Sequence, residues 1–206
     1  MFDFLKNKGK SDSNKRINQI LGEIHLLLNS DEEQNIAMSK NPVIKELLFD
    51  GTSGVDRLPN AEGSFGRDMR NPIPCNGPLG EWTYLSRLLY KDTNEKMFFH
   101  RLCSVGNNID QFELISMSGR VLDYLYLDMY HPRKSKFCPD GYVFQNDVKL
   151  LRGITRGICM TFPAGLPEMI RSECIDVIGV ALVDPDAKNI DVIQAKKTIA
   201  QYTQNK

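Results

Sequence analysis

The sequence predicts an α+β protein, an antiparallel sheet packed against helices, with a helical N-terminal extension. Two observations carry this. Apolar residues recur at helical spacing in the N-terminal part, where Ile17, Ile20, Leu21, Ile24, Leu27 and Leu28 make one face. Farther on, Lys96–Val105, Gln111–Ser118 and Val121–Met129 read as strands, and their connections are too short for crossover helices. Residues 1–49 are therefore assigned to the extension and 50–206 to the α+β domain.

The first helix has Ser11, Asp12 and Ser13 ahead of it as N-cap candidates. Ser30 could cap a second helix, with Glu33 completing a capping box. Pro42–Phe49 suits a third, since proline is tolerated at the first helical position. Residues 50–78 are dense in glycine and proline and read as a long loop. Loops of that length are usually functional, linking or disordered. Pro78–Tyr90 is again helical in pattern, with Leu79, Trp82, Leu85, Leu88 and Leu89 on one face and Glu81 near the positive end of the helix dipole.

After the strands, Tyr130–Gly141 is a second loop. Val148–Phe162 reads as one or two strands, and Glu168–Val183 mixes helix and strand character. Ala187–Gln201 closes the chain as a helix with Ile190, Ile193, Lys197 and Ala200 on one face.

Lys and Arg total 26 and Asp and Glu total 26, so no global field attracts nucleic acid or an anionic membrane. Two local basic stretches exist, Lys6, Lys8, Lys10, Lys15, Arg16 and Arg133, Lys134, Lys136; the plainer reading of the first is a solvated tail. No nucleic-acid partner is expected. The 5 cysteines are odd in number, widely spaced and free of any CxxC, unlike a secreted disulfide framework. No apolar run approaches the ~18–20 residues of a membrane span. A reduced, cytoplasmic protein without membrane insertion is expected.

The chain lacks GxSxG, GxxxxGK[ST], HExxH and GxGxxG. Three arrangements could still carry chemistry. His100, Cys103, His131 and Cys138 offer zinc-type ligands, although residues three apart on a strand face opposite ways unless the strand bends. Cys138 follows Arg133, Lys134 and Lys136, which could lower its thiol pKa, with His131 as base and Asp128 or Asp140 orienting it. Asp110, Glu113, Asp123 and Asp128 could cluster on the meander, where the plainer reading is a solvated sheet face. No cofactor is expected.

The pattern fits protein binding better. Tyr130, His131, Arg133, Lys134 and Tyr142 place aromatic and cationic groups in or beside a loop, and such residue types dominate binding hot spots. Trp82 is assigned to the core.

The run Asn71-Pro72-Ile73-Pro74-Cys75-Asn76-Gly77-Pro78-Leu79-Gly80-Glu81, the strand Phe99-His100-Arg101, the loop Tyr130-His131-Pro132-Arg133-Lys134-Ser135 and Pro139-Asp140-Gly141-Tyr142 form a signature. On these residues the middle of the chain resembles a group of uncharacterised bacterial proteins. Cys75 stands where the pattern has valine. The resemblance implies a bacterial origin and a shared fold, but no mechanism. The function expected is a non-enzymatic accessory, adaptor or immunity-type interaction protein. The alternative is a hydrolase or metal-dependent enzyme using His100, His131 and Cys138.

Overall fold

In the computed structural model, which describes residues 2–49, 54–106, 108–145, 158–169, 184 and 186–205, six strands join in the order β1-β5-β4-β3-β2-β6. They are β1 (Ile73–Pro74), β2 (Leu88–Tyr90), β3 (Glu95–Val105), β4 (Ile109–Ser116), β5 (Leu122–Asp128) and β6 (Tyr142–Phe144). The expected meander is the centre of this sheet: β3 pairs antiparallel with β4, and β4 with β5. The edges hold the three strands that the pattern did not indicate. β1 runs parallel to β5, and β2 joins β3 to β6. A strand of two or three residues is too short to show alternation, and Pro74 is tolerated because β1 is an edge.

Four helices precede or follow β1: α1 (Phe2–Asn29), α2 (Asp31–Met38), α3 (Pro42–Phe49) and α4 (Gly77–Leu85). The caps expected at Ser11–Ser13 do not begin a helix, because α1 already runs through them. Along its apolar stripe only the C-terminal part packs down: Ile24 and Leu28 are buried, while Ile17 is 54% exposed. Ser30 does cap α2, accepting the Glu33 N–H at 3.2 Å. Its own N–H bonds to Leu26 O at 2.9 Å, so α1 closes the turn instead of the Glu33 side chain.

The helix expected over Pro78–Tyr90 stops at Leu85, and Leu88 and Leu89 belong to β2. α4 is buried on nearly every side, including Glu81, Thr83 and Tyr84. Its nine residues lie between the sheet and the N-terminal helices, so burial rather than amphipathicity sets their environment. In the last helix, α5 (Val192–Gln204), the face expected to carry Ile193, Lys197 and Ala200 is turned to solvent, and Ile193 is 72% exposed. The inward residue is Ala195, because α5 packs backbone-close on the β4–β5 turn.

The two sheet faces are covered differently. Met97, Phe99, Phe112, Leu114, Leu125 and Leu127 share one face by register and are fully buried. Burying each such side chain stabilises the fold by about 1.5–3 kcal/mol. Arg101 and Asp110 continue this face toward α4. On the other face His100, Glu113 and Tyr124 are register partners. There His100 stacks on Phe162 at 4.0 Å and Tyr124 meets Tyr202 of α5 at 5.0 Å. Of the strands expected within 148–162, residues 148–157 lie outside the described residues and 158–162 form a turn; most of the 168–183 segment, including Cys174, also lies outside them. Among the described residues no helix is long and apolar enough to cross a membrane.

Candidate functional site

A cavity of about 580 Å³ lies where α1, α2 and α4 meet the sheet. Leu27 of α1, Ala37 and Met38 of α2, and Pro78, Leu79 and Trp82 of α4 supply apolar walls. Met129, just after β5, closes one side. Three polar residues enter this lining: Glu81, Arg101 and Asp110. An apolar cavity of this size with a few convergent polar groups is the usual form of a small-molecule site.

The local sequence explains how Glu81 gets there. Gly77 has φ +75, which favours glycine, and Pro78 follows it in the first turn of α4. Asn76 does not cap the helix with its side chain; its amide donates to Gln34 Oε1 at 3.1 Å and Asn35 Oδ1 at 3.2 Å. Those bonds seat the start of α4 against α2. One turn later Glu81 enters the cavity lining.

Glu81 has no exposed surface, and neither carboxyl oxygen has a hydrogen-bond partner among the described residues. Burial holds this carboxyl well above its ordinary range; Asp110 and Asp128 add to the effect and Arg101 opposes it. Asp110 itself is answered. Arg101 donates from Nη2 to Asp110 Oδ1 at 2.8 Å, and Ser104 Oγ donates to the same oxygen at 2.7 Å. The buried His131 brings Nε2 within 3.1 Å of Asp128 Oδ2, at an angle that is not that of a hydrogen bond. The site therefore combines a carboxyl held toward its neutral form, a neutralised Arg–Asp pair, and a His–Asp contact behind it.

The loop residues singled out from sequence lie mostly inside bonding networks. Arg133 donates to Asp56 Oδ1 at 2.6 Å and to Gly54 O at 2.7 Å. Lys134 reaches Asp31, and Gln34 Oε1 at 2.6 Å. Tyr142 is buried and donates to Asp123 Oδ2 at 2.9 Å, where Arg67 also donates. Tyr130 is half-buried and bridges to Asn76. The loop's exposed members are Lys136, Phe137 and Asp140.

The ligands considered for zinc sit in separate surroundings. β3 does bulge between Arg101 and Cys103, which turns Cys103 to the His100 face, so the bend that zinc required is present. Even so, Cys103 is exposed with Sγ 3.7 Å from Gln111 Oε1. His100 Nδ1 accepts the Cys159 N–H at 3.2 Å, so Nε2 carries the proton and donates to Glu113 Oε2 at 2.9 Å. Glu113 also accepts the Tyr124 hydroxyl at 2.7 Å. Burial pulls Glu113 upward, but these hydrogen bonds outweigh it and hold the carboxyl below its ordinary value. Among the described residues no three His, Cys, Asp or Glu side chains are grouped to hold a metal ion.

Two expectations need correction. The basic loop does not activate Cys138, because burial pushes its thiol up to about 11 despite Arg87. The four acids do not form a solvated face: Asp110 and Glu113 are buried, and Asp123 is held by Arg67 and Tyr142.

Sequence reasoning placed Glu81 near the helix dipole and missed its burial. Glu81 and Arg101, far apart in sequence, meet at this cavity. Comparison with protein-family models, curated proteins and solved structures found no match to this chain.

Proposed function

We propose that this protein binds a small, largely apolar molecule in the cavity beneath α2, with Glu81 as its polar anchor. The observation that carries this is the Glu81 carboxyl, fully buried and without a partner on the wall of an apolar cavity. Leaving such a group unbonded costs about 1–3 kcal/mol, which a ligand able to hydrogen-bond it recovers. Trp82, the only tryptophan, lines the same cavity, so its fluorescence reports occupancy. The test titrates the protein with six- to ten-carbon alcohols, amides, amines and carboxylates. Saturable change in Trp82 emission, abolished by filling the cavity with Ala37→Phe, is expected. Silence across the whole panel would sink the reading.

A second reading, an accessory, adaptor or immunity-type protein that binds another protein, is favoured by the N-terminal helices. Leu26, Ile36 and Val43 are each more than half exposed, as is Ile17. This supports the helical faces over the Tyr130–Tyr142 loop as the contact surface, since Arg133 and Lys134 are already bonded. Leu26→Glu with Ile36→Glu is expected to abolish co-purification of a partner from the native host while leaving the fold intact. Retention of that partner by the double variant would remove this reading.

A further inference from the structure

Resting on the cavity reading, we propose that the molecule bound is an alkyl amine in its protonated form, its ammonium group against Glu81 and its chain along Leu27, Met38, Leu79 and Trp82. Three observations select a cation over an anion or a neutral group.

First, the carboxyl at the cavity has no partner among the described residues, whereas the Arg101 guanidinium is held in an ion pair, its Nε without a hydrogen bond but 2.5 Å from Asp110 Oδ2. Its Nη2 is engaged by Asp110 and Ser104. An anionic ligand would have to break that ion pair to gain a partner. A cation meets a carboxyl that is already available.

Second, the surrounding charge is acidic. The ionisable groups that act on Glu81 are Asp110 from β4, Arg101 from β3 and Asp128 from β5, and Cys75 lies close enough to feel it. Arg101 and Asp110 cancel, and Asp128 adds a further negative charge that acts on Glu81. The α1 and α2 contributions to the wall, Leu27, Ala37 and Met38, carry no charge. A positive ligand lowers the energy of this cluster, and it does so in a poorly screened setting.

Third, the remaining wall is apolar and includes an aromatic ring. Met38, Leu79 and Met129 suit an aliphatic chain, and the indole of Trp82 tolerates a nearby cation.

The proton balance follows. In solution near pH 7 an alkyl amine is an ammonium ion. Glu81, held toward its neutral form by burial, must ionise to pair with it. Wherever Glu81 is protonated in the free protein, each amine bound releases that proton to solvent, and affinity rises with pH until Glu81 ionises without ligand.

The experiment is isothermal titration calorimetry of the full chain with hexylamine, 1-hexanol and hexanoate, in two buffers of different ionisation enthalpy. Hexylamine is expected to bind about tenfold or more tighter than hexanol, as a charged hydrogen bond exceeds a neutral one. Its apparent enthalpy should shift between buffers by about one proton's worth of buffer ionisation. Glu81→Gln should lose about tenfold or more in amine affinity. Should that variant fail to fold, the pH dependence of hexylamine affinity in the unaltered protein decides instead: a rise from pH 6 to 8 supports the proposal, and a flat profile overturns it. Hexanol or hexanoate binding as tightly as hexylamine overturns the amine assignment and leaves the cavity reading standing. No binding by any of the three overturns the amine assignment, and silence across the rest of the six- to ten-carbon panel as well overturns both.

Discussion

Lys134 donates from Nζ to Gln34 Oε1 at 2.6 Å, and so the 130–142 loop holds α2 over the sheet. Asp31 completes the attachment through its carboxylate. Because Ala37 and Met38 of α2 wall the cavity, this polar link sets one side of the binding site. Lys134→Met is expected to cost about 1–3 kcal/mol, since Asp31 and Gln34 lose a half-buried cation. Urea unfolding of the variant measures the loss. A change below the error of the midpoint would mean that apolar contacts alone seat α2.

Glu81 should make stability fall with rising pH. Burial, helped by Asp110 and Asp128 against Arg101, holds its carboxyl well above the ordinary 4.5. Above pH 4.5 the unfolded chain has released a proton that the folded chain keeps. This contribution to stability is thus complete below the unfolded-state value and is lost as pH rises through the folded-state value. Glu81→Gln cannot ionise. It is expected to track the parent protein below pH 4.5 and to exceed it increasingly above. The gap should widen by at most about 1.4 kcal/mol per pH unit. Unfolding midpoints from pH 4 to 8 test this, and a gap that stays constant would show that Glu81 ionises normally.

Gly119 is expected to tolerate no side chain. Its φ is +71, and a Cβ there would lie 2.5 Å from the backbone nitrogen of Ala195. Thr198 strengthens the same junction by donating to Gly119 O at 2.7 Å. Gly119→Ala should cost about 1–3 kcal/mol from backbone strain, and the collision adds to it. Hydrogen exchange in α5 should accelerate first. Unchanged protection of Val192–Gln204 would show that α5 docks by other contacts.

Tyr84→Phe tests the loop from beneath. The Tyr84 hydroxyl donates to Phe137 O at 2.6 Å from a fully buried ring. Its removal keeps the packing and strands the carbonyl, at a cost of about 1–2 kcal/mol. Thermal unfolding reads this directly. A variant as stable as its parent would mean that water takes the place of the hydroxyl.

The α+β class and the central meander were legible because turn signals and apolar runs are local. Gly119 shows the kind of feature that sequence hints at but does not explain. Its place between two strands marked a turn, whereas the second demand on it comes from Ala195, far along the chain. The metal set His100, Cys103, His131 and Cys138 was a proximity argument in one dimension; in space His100 answers to Glu113 and Cys159 instead.

By itself, then, the sequence determined the α+β class and the central meander, since propensity and turns act over a few residues. Only the tertiary structure decided what surrounds Glu81. A carboxyl on an ordinary helix becomes a buried, unpartnered acid when α2 covers it from one side and Arg101 with Asp110 approach from the other. Desolvation is a property of everything packed around a group, and no window of sequence contains those neighbours.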